Sequence, residues 1–302
     1  MIVVGAGMAG LLAGAMLQDD LWAIYEAQEK LPNNHSAVLR FRSSIVADTL
    51  NIPFKKVQVL RAVAPWQNAV ADAMAYSRKT NGSGVLRSIL KVSEGSNERW
   101  IAPLDLITRM AKKITKPMHY GEVFPFGNKE ACPVISTIPM PALMKALDYT
   151  GAPEFKYNVG WNVVAQLDTG VDAYCSLYVP DPAVPYARVS ITGSELVAEC
   201  YTKPKFSAET VAQAALSATG LAGTGIRSVD LKEQKYAKIL PIDEGVRRRF
   251  LMWATEKHNV YSLGRFATWR PGLLLDDLVN DTRVIQRLIM NNGESYAHKL
   301  KG

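Results

Sequence analysis

The stretch Met1-Ile2-Val3-Val4-Gly5-Ala6-Gly7-Met8-Ala9-Gly10 decides how this chain is read. An apolar run ends in Gly5-x-Gly7-x-x-Gly10, and a helix-like segment from Leu11 to Gln18 follows at once. A second apolar run, Leu21 to Tyr25, ends in Glu26. Strand, glycine turn, helix, strand and acid, in that order, describe a dinucleotide-binding βαβ unit. Gly5 permits the tight turn, Gly7 lets backbone approach a pyrophosphate, and Gly10 lets the helix pack closely on the strand. The helix N-terminus offers unpaired N–H groups and a positive dipole end to phosphates. Glu26 lies about 20 residues beyond the first glycine, the distance expected for an acid that holds ribose hydroxyls.

Working outward, 302 residues with 48% hydrophobic content suffice for one large or two moderate domains with a real core. No apolar run reaches the ~18 residues that span a bilayer, and with the first strand at residues 1–4 no signal peptide is expected. Cys132, Cys175 and Cys200 are far apart, as are His35, His119, His258 and His298. No metal-ligand spacing is visible, and free thiols fit a reducing cytoplasm. The net charge of +7 bears on partners rather than on fold. Its local groupings are Lys55-Lys56, Lys112-Lys113 with Lys116, and Arg247-Arg248-Arg249. They read either as solvated faces or as a surface for a polyanion.

Gln28 to Ser36 reads as a loop, Ala37 to Ile45 as an extended segment beside the cofactor, and 57–79 as helix from the spacing of Val57, Leu60, Val63, Val70 and Met74. Asn81-Gly82-Ser83-Gly84 is a turn. A short helix enters through Pro103, a buried strand occupies 133–139, and Pro141 opens a helix. Tyr157–Leu167, Ala173–Val179, Ala187–Thr192 and Leu196–Tyr201 alternate like an antiparallel meander. Ala208–Thr219 is helical, Tyr261–Gly264 a last strand, and Leu273–Met290 a last helix. The expected organisation is a discontinuous nucleotide-binding domain (1–50, returning at 121–150), a helical segment (51–120), a β-rich substrate cap (151–205), and a remainder (206–302) that carries the final strand and helix.

At both ends and in the centre the chain resembles the flavin amine oxidase and UDP-galactopyranose mutase superfamily. The residues that carry the likeness are the glycine turn, Val134-Ile135-Ser136-Thr137-Ile138-Pro139, Asn259 to Phe266, and Trp269-Arg270-Pro271-Gly272-Leu273 with Asp276-Asp277. Tyr178 to Ser190 resembles that family's sheet near the substrate. The resemblance implies an α/β protein, a Rossmann-type FAD-binding domain with an inserted β-rich substrate cap and a helical segment. It implies non-covalent FAD held by Gly5, Gly7, Met8, Ala9, Gly10, Glu26 and Ala27, and by Gly264, Arg265, Gly272 and Leu273 late in the chain. The family's paired glycine near residues 34–38 is missing, where Asn34-His35-Ser36-Ala37 stands instead. Arg40 or Arg42 is the expected substitute contact to phosphate.

A flavin brings the redox chemistry, and the protein supplies orientation, electrostatics and a dry pocket. The implied activity is oxidation of an amine or amino acid by hydride transfer, with Trp269 and Tyr186 facing substrate and Arg188 holding an anionic group. A basic chain with a small cap also admits an amino group carried on nucleic acid. The alternatives are a flavin-dependent sugar mutase and a flavoprotein that only binds or senses.

Overall fold

The computed structural model describes the chain except for residues 32–37, 66–67, 82–94, 128–130, 171 and 300–302. Two sheets organise it. In the first, β1 (Ile2–Val4) lies between β2 (Ala23–Glu26) and β7 (Val134–Ser136). β6 (Met118–Tyr120) extends the β2 side and β13 (Val260–Ser262) the β7 side. All pairs are parallel, in the order β13-β7-β1-β2-β6. The central strands β1 and β7 are short, buried and mainly apolar because both faces are covered. Val3, Ile24, Ile135 and Leu263 pack under α1 (Met8–Met16), α2 (Ile45–Leu50), α4 (Leu106–Lys112) and α8 (Leu275–Lys299). Val4, Val134 and Val260 face the opposite layer, α5 (Met140–Ala146) and α7 (Glu244–His258), through Leu143, Phe250 and Ala254.

The second sheet has the order β12-β8-β11-β10-β9-β4-β5-β3. The expected meander is present as β8 (Tyr157–Asp168), β9 (Ala173–Tyr178), β10 (Tyr186–Gly193) and β11 (Glu195–Cys200). It is extended by β12 (Gly225–Ile239) and, from the early chain, by β3 (Arg40–Phe41), β4 (Lys55–Val63) and β5 (Gly95–Ile101). One face of the sheet is apolar and covered by α6 (Ala208–Ala218). The other is largely polar and meets α3 (Ala69–Asn81) through Tyr76 and Tyr178.

Three expectations change here. The segment 57–79 is not one helix: Lys55–Val63 is strand and only Ala69–Asn81 is helical. Val57, Leu60 and Val63 suit a helix stripe, but Val57, Val59, Arg61 and Val63 equally suit a strand face. The pairing of β4 with β5 and β9 decides for the strand, burying Val59 and leaving Leu60 63% exposed. The cap sheet therefore takes strands from the span read as helical and, past 205, from β12. Of the extended segment at 37–45, only Arg40–Phe41 is strand, and α2 begins at Ile45. The turn at 82–84 and the loop from 32 onward lie outside the described residues.

Candidate functional site

The five parallel strands deliver their carboxyl ends to one edge, the place where open α/β sheets bind ligands. Gly5 turns the chain there with φ +93°, a left-handed conformation open to glycine. A Cβ on Gly10 would stand 1.8 Å from Gly5 O, so glycine is required for α1 to pack against β1. Gly7 differs: it is exposed, it is the N-cap of α1, and a Cβ there would meet nothing within 4 Å. Packing explains Gly5 and Gly10 and leaves Gly7 unexplained, while the bare backbone at a helix N-terminus suits an anion.

Glu26, at the end of β2, turns back onto this loop. Its Oε2 accepts from Ala6 N at 2.7 Å and its Oε1 from Gln28 N at 2.9 Å. Each oxygen keeps a lone pair for a further donor. Ala27 follows, exposed. Beside it Leu31, Ile107, Ala111, Met118 and Tyr120 line an apolar-walled cavity of about 430 Å³. Thr137, at the end of β7, donates to Val4 O and Gly5 O, both at 3.0 Å, and fixes the two strand ends together.

The late segment arrives at the same edge. Gly264, past β13, has φ +104°, and a Cβ on it would stand 3.0 Å from that of Ala9. Met8 and Ala9 are half-buried in the first turn of α1, which packs on α8. Gly272, just before α8, is exposed and a Cβ there would meet nothing within 4 Å, whereas Leu273 is buried in the core. Asp277 caps α8 by accepting from Leu274 N at 2.9 Å. Asp276 Oδ1 accepts from Arg42 N and Ser43 N, both at 3.1 Å, tying the loop after β3 to the start of α8. Gly5, Gly7, Met8, Ala9, Gly10, Glu26 and Ala27 thus lie around one edge, with Gly264 brought there against Ala9, whereas Gly272 lines a separate cavity of about 560 Å³ with Pro241, Trp269 and Arg270. The Arg265 guanidinium lies over the Phe266 ring at 5.8 Å.

The remaining expected site residues have other work. Arg40 is not available to a cofactor phosphate. Its guanidinium donates to Ser176 Oγ (2.7 Å), Thr192 Oγ1 (2.8 Å), Cys175 O (2.9 Å) and Ile191 O (2.6 Å), all in the cap sheet. Burial, then the nearby Arg188, pushes it down to about 10. Trp269 is a core residue at 1% exposure. Its Nε1 donates to Leu240 O at 2.8 Å, its ring packs on Phe155 and Tyr236, and this packing holds its φ of +48°. Tyr186 is buried against α6, donating from its hydroxyl to Ala214 O at 3.2 Å. Arg188 pairs with Glu199. Burial opposes its charge, but Glu199, Tyr76 and Tyr178 hold it above the ordinary guanidinium range.

No protein-family model and no curated protein sequence matches the chain. Solved structures do. Reduced UDP-galactopyranose mutase matches at TM-score 0.70 and 13% identity, over 95% of this chain and 93% of that one. The fold is that of UDP-galactopyranose mutase. An oxidoreductase from Methanosarcina mazei matches at TM-score 0.58 and 9% identity, over 95% and 99% of the two chains. Aklavinone-11 hydroxylase, solved with FAD and aklavinone, matches at 0.53 and 13%, over 95% of this chain and 61% of that one. The shared element is a mixed α/β architecture, a Rossmann-type parallel sheet accompanied by a second, larger sheet. Among the described residues no helix is long and apolar enough to cross a membrane.

Proposed function

We propose that the chain is an FAD-dependent enzyme with its cofactor at the carboxyl edge of the parallel sheet. The observation that carries this is Gly7, an open glycine at the N-terminus of α1 with no packing reason to be glycine. The first-turn amides of α1 would hold the pyrophosphate, Glu26 the ribose, and the cavity between Leu31 and Met118 the adenine. Gly264 leaves backbone room on the flavin side, with Met8, Ala9, Arg265 and Leu273 around it. Bound FAD would supply hydride acceptance or, when reduced, a nucleophile. The protein's part is to orient the substrate under the polar face of the cap sheet and to exclude water there.

The reading preferred for the reaction is oxidation of an amine or amino-acid-type substrate. A large form of that substrate is an amino group on a modified base of nucleic acid, met by the basic surface at Arg247–Arg249. Arg247 and Arg248 both bind Glu244, so Arg249 and the exposed part of Arg248 would carry that contact. The sugar mutase reading has its own support in the match to UDP-galactopyranose mutase. Three free thiols suit a reducing compartment such as the cytoplasm.

The test is the spectrum of the purified or FAD-reconstituted protein, followed by anaerobic titration. Bleaching of the flavin by an amine supports the oxidase. Interconversion of UDP-galactose ring forms by the reduced protein alone supports the mutase. Protein that takes up no FAD ends both readings.

A further inference from the structure

The polar face of the cap sheet carries a set of arginines that neither the fold nor the cofactor reading uses. Register places Arg61 beside Ser176 across β4 and β9, Tyr178 beside Arg188 across β9 and β10, and Arg99 beside Val57 across β5 and β4. Alternation then puts Arg61, Arg99, Ser176, Tyr178, Arg188 and Ser190 on one face. Arg40 joins that face through its hydrogen bonds to Ser176 and Thr192. Arg42 follows two residues later, its backbone bound to Asp276 at the start of α8. The arginine face therefore abuts the helix end that borders the proposed cofactor edge.

Among the described residues, charge on this face is only partly balanced from within. Arg188 has Glu199, and Arg40 is held by neutral acceptors. Among the described residues Arg42, Arg61 and Arg99 form no ion pair. Arg61 donates to the Tyr178 hydroxyl at 3.1 Å and lies over its ring, and Arg99 donates to Glu98 O. The nearby carboxylate of Asp276 offsets part of this charge. Burial, then Arg61 and Arg42, lowers Arg99 from its ordinary value. Burial acts to raise the Tyr178 phenol, yet Arg188 and Arg61 together bring it below its ordinary value. Like charges held this close cost free energy unless an anion joins them.

We propose that Arg42, Arg61 and Arg99, with Tyr178 at their centre, bind the phosphate groups of the substrate. A single carboxylate would use one guanidinium fork. Three forks from separate segments fit an anion with several charged oxygens, either a diphosphate or successive phosphodiesters. This assigns a substrate class to the enzyme proposed above and rests on that reading for its function, though not for its existence as an anion site.

The test is calorimetric titration of the full chain with inorganic pyrophosphate, a nucleoside 5′-diphosphate and a single-stranded oligodeoxynucleotide, with flavin content measured separately by absorbance. The wild type should bind at least one of them with salt-sensitive affinity. Arg61→Gln with Arg99→Gln should weaken that binding roughly 100-fold, about 10-fold for each charged hydrogen-bonding group lost, at unchanged flavin content. If the pair does not fold, Arg42→Gln, at an exposed position, should still weaken binding several-fold. Tighter binding of the diphosphates assigns the site to a small nucleotide, and tighter binding of the oligonucleotide, with a steeper salt slope, assigns it to a polymer. Equal affinity in wild type and variants overturns the proposal, as does a wild type that binds FAD but none of the three anions. Anion binding lost in the variants, in a protein that takes up no FAD, would keep the site and end the flavin reading.

Discussion

The two sheets offer ligands different parts of the chain. At the parallel sheet the groups proposed to face a ligand are backbone: glycines without side chains, strand ends and the first turns of α1 and α8. The side chains there, such as Val3, Val4 and Ile135, are buried for packing. At the cap sheet the groups proposed to face a ligand are side chains on one face, Arg61, Arg99 and Tyr178, while the backbone is consumed by pairing. A backbone site is defined by what must be absent, and a side-chain site by what must be present. The first tolerates almost no added atom, while the second tolerates substitution at a graded cost.

The strongest way to break that contrast is at the glycines, where the largest effects are expected. Gly10→Ala puts a Cβ 1.8 Å from Gly5 O, so the variant should fail to fold, read as loss of a cooperative thermal transition. Gly7→Val adds bulk where nothing lies within 4 Å. It should melt within a few degrees of wild type and bind no FAD. If Gly7→Val retains full flavin content, the open space at α1 does not receive a pyrophosphate.

A second, smaller effect tests the cap. Arg188→Met removes the partner of Glu199 and leaves a partly buried carboxylate alone. Breaking a buried pair costs ~3–5 kcal/mol. With 32% of the Arg188 side chain exposed, about 2–3 kcal/mol is the better expectation. Denaturant unfolding measures it, and Arg188→Met with Glu199→Leu should recover most of the loss. Full stability in the single variant would mean the pair is as solvated as a surface ion pair.

Trp269→Phe comes next. It deletes the hydrogen bond to Leu240 O and part of the packing on Phe155 and Tyr236, at a cost of ~1–2 kcal/mol. Flavin content and substrate affinity should stay near wild type. A selective loss of turnover with unchanged stability would return Trp269 to the substrate.

The same contrast explains what the sequence discloses. The backbone site is written locally: glycines at fixed spacing, a helix and an acid, all within residues 1–26, so Gly5, Gly7, Gly10 and Glu26 can be found without the structure. Gly264 and Gly272 come only through resemblance, because nothing local says that β13 returns beside β7. The arginine face cannot be read this way. Its members come from β4, β5 and β10 and from the segment after β3, and only pairing of the early chain with β9 assembles them. β4 in particular fits two periodicities. β12 escapes notice because register shifts between Ile226 and Ser228, and between Gln234 and Lys238, break its alternation. α7 leaves a signal that could have been used: Val246, Phe250, Ala254 and His258 recur every fourth residue, and Asp243 caps the helix by accepting from Val246 N.

The smallest expected effect separates the inner arginines from the outer run. Glu244 accepts from Arg247 and Arg248, each at 2.7 Å, and these bonds, Arg247's first, hold its carboxyl down at about 2. The folded protein therefore binds this proton less tightly than the unfolded chain does. The network's stabilisation is present above the ordinary glutamate range and is lost as pH falls through about 2. Solvent screens it, so Glu244→Gln should leave the thermal midpoint at neutral pH unchanged and lessen only the loss of stability in acid. The substitution also frees positive charge on α7. If a polymer's phosphates dock mainly on the outside, Glu244→Gln should raise oligonucleotide affinity by more than Arg61→Gln with Arg99→Gln lowers it. The expected result is the reverse, a change of under about 2-fold at Glu244 against a far larger loss at the pair. The reason is that solvent screens the outer charges, whereas the inner arginines stand on one partly buried face, offset only in part by Asp276 and in no ion pair among the described residues.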